Sequence, residues 1–188
     1  MSDPPRPLVV GLTGPNAAGK GVVACALKEL GFAYHSLSDV VREEAVALGR
    51  TVGRDDLIRT GNELRHRGGA GVLAERMIVR LGSRDAVDSI RNPAEVEVLR
   101  RVPGFVLVGV WAPAELRYER ARARQGRGDA VQSLEAFLRK EAEENTSDPE
   151  AQRLEATFAL ADRVVRNDAT LEELRRSVAA LAAELERA

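Results

Sequence analysis

The run Gly14-Pro15-Asn16-Ala17-Ala18-Gly19-Lys20 has the spacing G-x-x-x-x-G-K. That spacing suits the binding of phosphate. Glycines let successive backbone N–H groups turn inward around phosphate oxygens. A helix starting at the lysine adds the positive end of its dipole. Lys20 brings a full charge on a long stem to the outer phosphates of a nucleoside triphosphate. Gly14, Asn16, Ala17, Ala18, Gly19, Lys20, Gly21 and Val22 are therefore candidate nucleotide contacts. The bland alternative is a glycine-rich turn beside a surface lysine. The flanks argue against it, because residues 8–13 (LVVGLT) read as a buried strand and residues 20–30 as a helix. One position departs from the motif. Gly21 stands where a Ser or Thr hydroxyl usually helps to hold Mg²⁺. A metal would then rely on water, phosphate oxygens, Asp88 or Thr13.

Arginines form the second chemical group. Only Lys20, Lys28 and Lys140 are lysines among 28 basic residues. Codon bias would give the same excess, so placement decides. Arg117, Arg120 and Arg124 lie on one helix face, with Arg127 just beyond. Like charges at that spacing repel unless an anion neutralises them. A triphosphate in transfer is such an anion. A solvated face paired with Glu115, Glu119 and Asp129 explains the pattern as well. Asp39 and Arg42 also share a helix face, either as a helix cap with a first-turn arginine or as acceptor contacts. His35 and His66 are too isolated for a metal site or an acid–base pair. Cys25 and Trp111 read as packing residues, and Asn62, Glu63 and Arg65 as surface-helical.

These groups need elements to hold them. Strands are expected at 8–13, 32–37, 85–90, 105–111 and 161–167. Helices are expected at 20–30, 39–48 (capped by Ser38 or Asp39), 54–67, 71–81, 93–101, 113–125, 133–145 and 149–160. A final amphipathic helix, 170–187, carries Leu171, Leu174, Val178, Leu181 and Leu185 on one stripe. Strands alternating with helices predict a parallel sheet wrapped on both faces, the three-layer α/β/α class. Ligands in such folds sit at the carboxyl ends of strands. The candidate chemistry falls there, after residues 13 and 37 and at 88–92.

Composition narrows the class. With 188 residues, 44% apolar and 30% charged, the chain can bury a core as one domain. A net charge of −1 gives no global attraction to nucleic acid. No uncharged apolar run approaches the roughly 18 residues of a membrane span. The opening MSDPPRP lacks a signal-peptide layout, so a cytoplasmic protein is expected.

Gly19-Lys20-Gly21 in place of the usual GK[ST] resembles the adenylate kinase branch of small P-loop kinases. Three more stretches agree. Ser36-Leu37-Ser38-Asp39-Val40-Val41-Arg42 looks like the acceptor segment S-x-G-D-x-x-R, with Ser38 where glycine is usual. Asp88-Ser89-Ile90-Arg91 resembles the D-G-x-x-R segment that ends the third strand. Arg120, Arg124, Arg127 and Asp129 resemble an arginine-rich lid. The closing ADRVVRNDATLEEL resembles the last strand and helix of small nucleotide and dephospho-CoA kinases. With residues 61–77 included, the pattern is nearest to a group of archaeal and bacterial adenylate-kinase-like proteins, most of them uncharacterised.

The resemblance implies a P-loop NTPase fold with a mostly parallel five-stranded sheet. It implies one domain over 1–188, a helical acceptor-binding insert at about 39–82 and a short lid at about 120–132. ATP and Mg²⁺ would be the cofactors, and a small phosphorylated acceptor such as a nucleoside monophosphate the substrate. Lys20, Asp88, Arg91, Arg120 and Arg124 would carry catalysis. Arg117 and Arg120 would join the nucleotide contacts. Asp39, Arg42, Arg65, Arg91 and Arg127 would hold the acceptor, and Asp88 the metal. Two other readings stay open: transfer to a hydroxyl, as in dephospho-CoA kinase, and an ATP-binding switch or slow NTPase without an acceptor.

Overall fold

The computed structural model describes residues 6–125 and 133–187. In chain order the elements are β1 (Leu8–Thr13), α1 (Lys20–Glu29), β2 (Ala33–Ser36), α2 (Leu37–Ala47), α3 (Arg54–Gly68), α4 (Val72–Ile78), β3 (Arg84–Asp88), α5 (Pro93–Leu99), β4 (Phe105–Trp111), α6 (Ala114–Gln125), α7 (Leu134–Glu144), α8 (Leu154–Phe158), β5 (Arg163–Arg166) and α9 (Leu171–Arg187). The strands form one sheet in the order β2-β3-β1-β4-β5, and every pairing is parallel. Their carboxyl ends therefore share one edge of the molecule.

β1 is central and buried along its whole length, because helices cover both faces. Alternation along the strand feeds two cores. Leu8, Val10 and Leu12 join Val23, Leu27, Leu174 and Val178 of α1 and α9 on one face. Val9 joins Leu37, Leu73, Val96 and Leu99 of α2, α4 and α5 on the other. Gly11 lies on that second face. A Cβ there would come within 2.7 Å of Ile90 and of the Phe105 ring, so only glycine lets these two side chains close over β1. The result is the three-layer α/β/α architecture.

Several local expectations are corrected. β3 stops at Asp88, because Ser89 turns into the left-handed region at φ 67°. The second helix starts at Leu37, and its cap is Ser36, not Ser38 or Asp39; Ser36 Oγ accepts the Ser38 N–H at 3.3 Å. The helix expected at 149–160 shrinks to α8. The carbonyls of Pro149 and Ala151 go instead to the Asn92 side-chain amide, each at 2.7 Å. Cys25 is exposed, since Val23, Ala24, Ala26 and Leu27 set the buried face of α1. Trp111 is half-buried at the strand end, with the Arg166 guanidinium 4.4 Å from its ring centroid. Leu171 is exposed, and the buried stripe of α9 begins at Leu174. Part of the expected lid, 126–132, lies outside the described residues, as do Arg127 and Asp129 within it.

Arg65 is the largest correction. Its position suggests a surface helix, yet it is 3% exposed. Its Nε and Nη2 donate to Glu95 Oε1 at 3.0 and 2.7 Å. Glu95 is itself fully buried, and its Oε2 accepts the N–H groups of Arg91 and Asn92 at 2.8 and 3.1 Å. Asn92 and Glu95 form a reciprocal cap on α5, with Pro93 in the first turn. One carboxylate thus ties α3 to the chain just after β3. Four donors satisfy it, which is what a buried charge requires. Arg65→Ala leaves this carboxylate short of its ion pair. The expected loss of stability is about 3–5 kcal/mol, measured by urea denaturation; a loss below about 1 kcal/mol would show that the pair adds little.

Candidate functional site

The loop between β1 and α1 is shaped by close approach on both flanks. Gly14 has φ 139°, and a Cβ there would lie 2.2 Å from the Val110 carbonyl oxygen. Gly19 has φ 106°, and a Cβ there would lie 2.0 Å from Asn167 Nδ2. Ala17 adopts φ 58°, a conformation that an L-residue holds only at a cost. Gly19 is the N-cap of α1 and offers no side chain to its first N–H groups. The Val22 and Val23 N–H groups donate to the Gly19 carbonyl at 2.9 and 3.1 Å, so those of Lys20 and Gly21 are the ones left for another acceptor, as an anion-binding helix start requires.

Lys20 folds back over this loop. Its Nζ donates to the carbonyls of Gly14 at 2.6 Å and Pro15 at 3.0 Å. Burial lowers its pKa to about 8, against a partial offset from the Asp88 carboxylate. Arg91, Glu141 and Arg117 also act on it through their charges. The loop lysine, the end of β3 and Arg91 therefore share one electrostatic environment.

Two residues that sequence reasoning missed hold the loop. Asn167, just past β5, donates Nδ2–H to the Ala18 carbonyl at 2.8 Å and its own N–H to the Trp111 carbonyl at 2.7 Å. Arg120 donates to its carbonyl and side-chain oxygens at 3.0 and 3.1 Å. Glu141 of α7 accepts the Asn16 N–H at 3.1 Å and is paired with Arg117. Arg117 also reaches the carbonyls of Ala112 at 3.2 Å and Asn16 at 3.3 Å. Arg117 and Arg120 of α6 are thus both met by protein groups. Arg117 is buried and braces the loop, while Arg120 faces a cleft of about 360 Å³ with Gly19, Val22 and Asn167. Arg124 sits in the last turn of α6, with its side chain outside the described residues. The only sequence signal for Asn167 was its place at the end of a strand; for Glu141 there was none.

A second cleft, of about 340 Å³, opens on the other side of β3. Leu37, Val41, Val52 and Leu57 give it apolar walls, and Ser38, Arg42, Ser89, Arg91 and Gln152 give it polar ones. Arg91 donates to Gln152 Oε1 at 2.9 Å. Arg42 lines the cleft but is ion-paired with Asp39, both side chains about half exposed. Arg65 also touches the cleft, with its charge matched by Glu95. Asp39 and Arg65 are thus engaged with protein partners, and Arg91 lines the cleft with its charge acting on Lys20.

Asp88 is buried at the end of β3. Its Oδ1 accepts the Ser89 N–H at 2.5 Å, and its Oδ2 is 3.4 Å from the Tyr34 hydroxyl. Burial and this carboxylate push the Tyr34 phenol up. The residues fit a nucleotide polyphosphate: a glycine turn backed too closely for side chains, a helix start with no side-chain cap and a lysine. They fit a metal more sparsely. Among the described residues there is no cluster of three or more metal-ligating side chains. Thr13 donates its hydroxyl to the Ile90 carbonyl at 2.9 Å, while Asp88 remains the acidic group nearest Lys20 by charge. A Cβ on Gly21 would meet nothing within 4 Å, so the missing hydroxyl is not a packing requirement.

Two predictions follow from this geometry. A lysine with its pKa lowered to about 8 loses its charge as pH rises through that value. ATP affinity should therefore fall above about pH 8 in the natural chain. It should stay flat in Lys20→Arg, whose guanidinium remains charged; calorimetric titration across pH 7–9.5 checks both, with ~7 and ~9.5 chosen to span the transition. Asn167→Ala removes the loop's brace and leaves the Ala18 carbonyl unpaired. The expected cost is about 1–3 kcal/mol of stability, together with weaker ATP binding, read by thermal unfolding with and without ATP.

No family model matches the chain. It is 30% identical over 169 residues to a UPF0200 protein of Sulfurisphaera tokodaii, across 89% of this chain and 91% of that one. Among solved structures, TT1252 from Thermus thermophilus is 26% identical with a TM-score of 0.58, covering 96% of this chain and 98% of that one. Shikimate kinase from Bacteroides thetaiotaomicron is 16% identical with a TM-score of 0.59, covering 94% and 98%. That second likeness concerns the fold. Sequence and fold agree: with the three-layer architecture of the P-loop kinases, the chain belongs to the UPF0200 family.

Proposed function

We propose that this protein is an ATP-dependent phosphotransferase that passes the γ-phosphate of ATP to a small phosphorylated acceptor of the nucleoside monophosphate type. One observation carries the reading. Arg91 lines the second cleft, and its charge, with that of Asp88 at the end of β3, acts on the lysine of the phosphate loop. This coupling supports a donor site at the loop and an acceptor site in the second cleft, with Lys20 between them.

The chain's own groups divide the work. Gly14, Asn16, Ala17, Ala18, Gly19, Gly21 and Val22 line the cradle, and Lys20 leaves its loop carbonyls for the outer phosphates. Arg120 and Arg124 add charge on the nucleotide side, and Arg117 keeps the loop in shape. Arg91 grips the acceptor, with Arg42 and Asp39 at the cleft's rim and Arg65 steadying the wall. Arg127 would complete the lid. ATP would supply the phosphoryl group, and Asp88 would hold a Mg²⁺ ion supplying charge neutralisation. An oxygen of the acceptor phosphate attacks the γ-phosphorus in line, and the bond to the β-bridging oxygen breaks to release ADP. Positioning and charge do this work, so no nucleophilic side chain is needed. If the acceptor were an alcohol, Asp88 would be the base that takes its proton.

The test is ATP-to-ADP turnover with Mg²⁺ across ribo- and deoxyribonucleoside monophosphates and dephospho-CoA. One phosphorylated acceptor should raise turnover well above the rate without acceptor. Arg91→Ala should raise the acceptor KM by about tenfold or more, and Lys20→Ala should abolish transfer with folding intact. Stimulation by dephospho-CoA alone would assign a hydroxyl acceptor. ATP binding without stimulation by any acceptor would favour a switch or slow NTPase.

A further inference from the structure

Ser89 combines features that a passive turn residue has no reason to have. It holds φ 67°, a conformation in which glycine would be unstrained. Its side chain lines the cleft two positions before Arg91, between that arginine and Asp88. Its N–H is fixed on Asp88 Oδ1 at 2.5 Å, which sets the direction of its Cα–Cβ bond.

Ser36 Oγ accepts the Ser38 N–H at 3.3 Å and lies 3.2 Å from Ser89 Oγ. A hydroxyl carries one proton and two lone pairs, so a single contact with Ser36 leaves Ser89 Oγ further hydrogen-bonding capacity at the cleft wall. A donor hydroxyl beside a guanidinium selects an anionic oxygen over an alcohol, because both then hydrogen-bond to the same charge.

We infer that Ser89 is a specificity-determining residue that donates its hydroxyl to a phosphate oxygen of a phosphomonoester seated against Arg91. The inference rests on the reading of this cleft as the acceptor side. It adds that the acceptor is recognised through its phosphate at Ser89, and that the strained backbone is kept for that contact.

The test titrates AMP, CMP, GMP, UMP and ribose 5-phosphate, with the matching unphosphorylated nucleosides, into the natural chain, Ser89→Ala and Ser89→Gly. Ser89→Ala keeps the strain and removes the hydroxyl; Ser89→Gly removes both. At least one phosphomonoester should bind the natural chain, and both variants should weaken it about tenfold or more. The parent nucleoside should not change, and Ser89→Gly should unfold at a higher temperature than Ser89→Ala. Variants within about twofold of the natural chain overturn the inference. So does equal binding of nucleoside and phosphomonoester, or no phosphomonoester binding at all. Turnover of ATP is followed in the same samples. Ser89-dependent binding without turnover sinks the kinase reading alone. Turnover that ignores both variants sinks the role of Ser89 alone.

Discussion

The turn between β1 and α1 is made of glycine and other short side chains, and so it must be held in place by its neighbours. Here the hold is steric as well as polar. Gly14 lies against the Val110 carbonyl, and Gly19 against the Asn167 amide, at separations that no side chain could enter. β4 thus backs one end of the turn, and the end of β5 backs the other. Sheet order matters for this reason: β1 lies directly beside β4, and β5 is the next strand out. Asn167 and Arg117 then satisfy loop carbonyls, while Glu141 takes the Asn16 N–H. The charge of Lys20 is held within this frame at the expense of its hydration, and its lowered pKa records that expense.

The second cleft is organised by a different device. Glu95 is fully buried and has four donors on its two oxygens. It links α3, which carries one wall of the cleft, to the backbone of Arg91 and Asn92. Asn92 extends the tie to the carbonyls of Pro149 and Ala151, and Gln152 follows with its contact to Arg91. Three separate stretches of chain are therefore registered against the end of β3. A buried ion pair of this sort adds little net stability over an apolar substitute. Its effect here is to fix where Arg91 begins.

The sequence made much of this legible, and for identifiable reasons. Strands such as 105–111 have no charge and many β-branched residues, so burial on both sides was readable. The phosphate loop was readable because its spacing is dictated by backbone geometry alone. Arg65 was misplaced because its helix is polar overall, and its partner lies 30 residues away on another helix. Asn167 and Glu141 were missed for the same reason, since their roles depend on contacts across the fold and no local pattern encodes them. Ser36, rather than Ser38 or Asp39, caps α2 because β2 runs directly into the helix without a turn. Cys25 was misjudged by the phase of one short helix.

The brace between Asn167 and Ala18 spans 149 positions of the chain. During synthesis from the amino end, β1 and the loop emerge long before β5 can dock. A nascent chain therefore carries the glycine-rich segment before the residue that braces it exists. The shape of the loop is thus a property of the folded sheet and not of the segment that carries it.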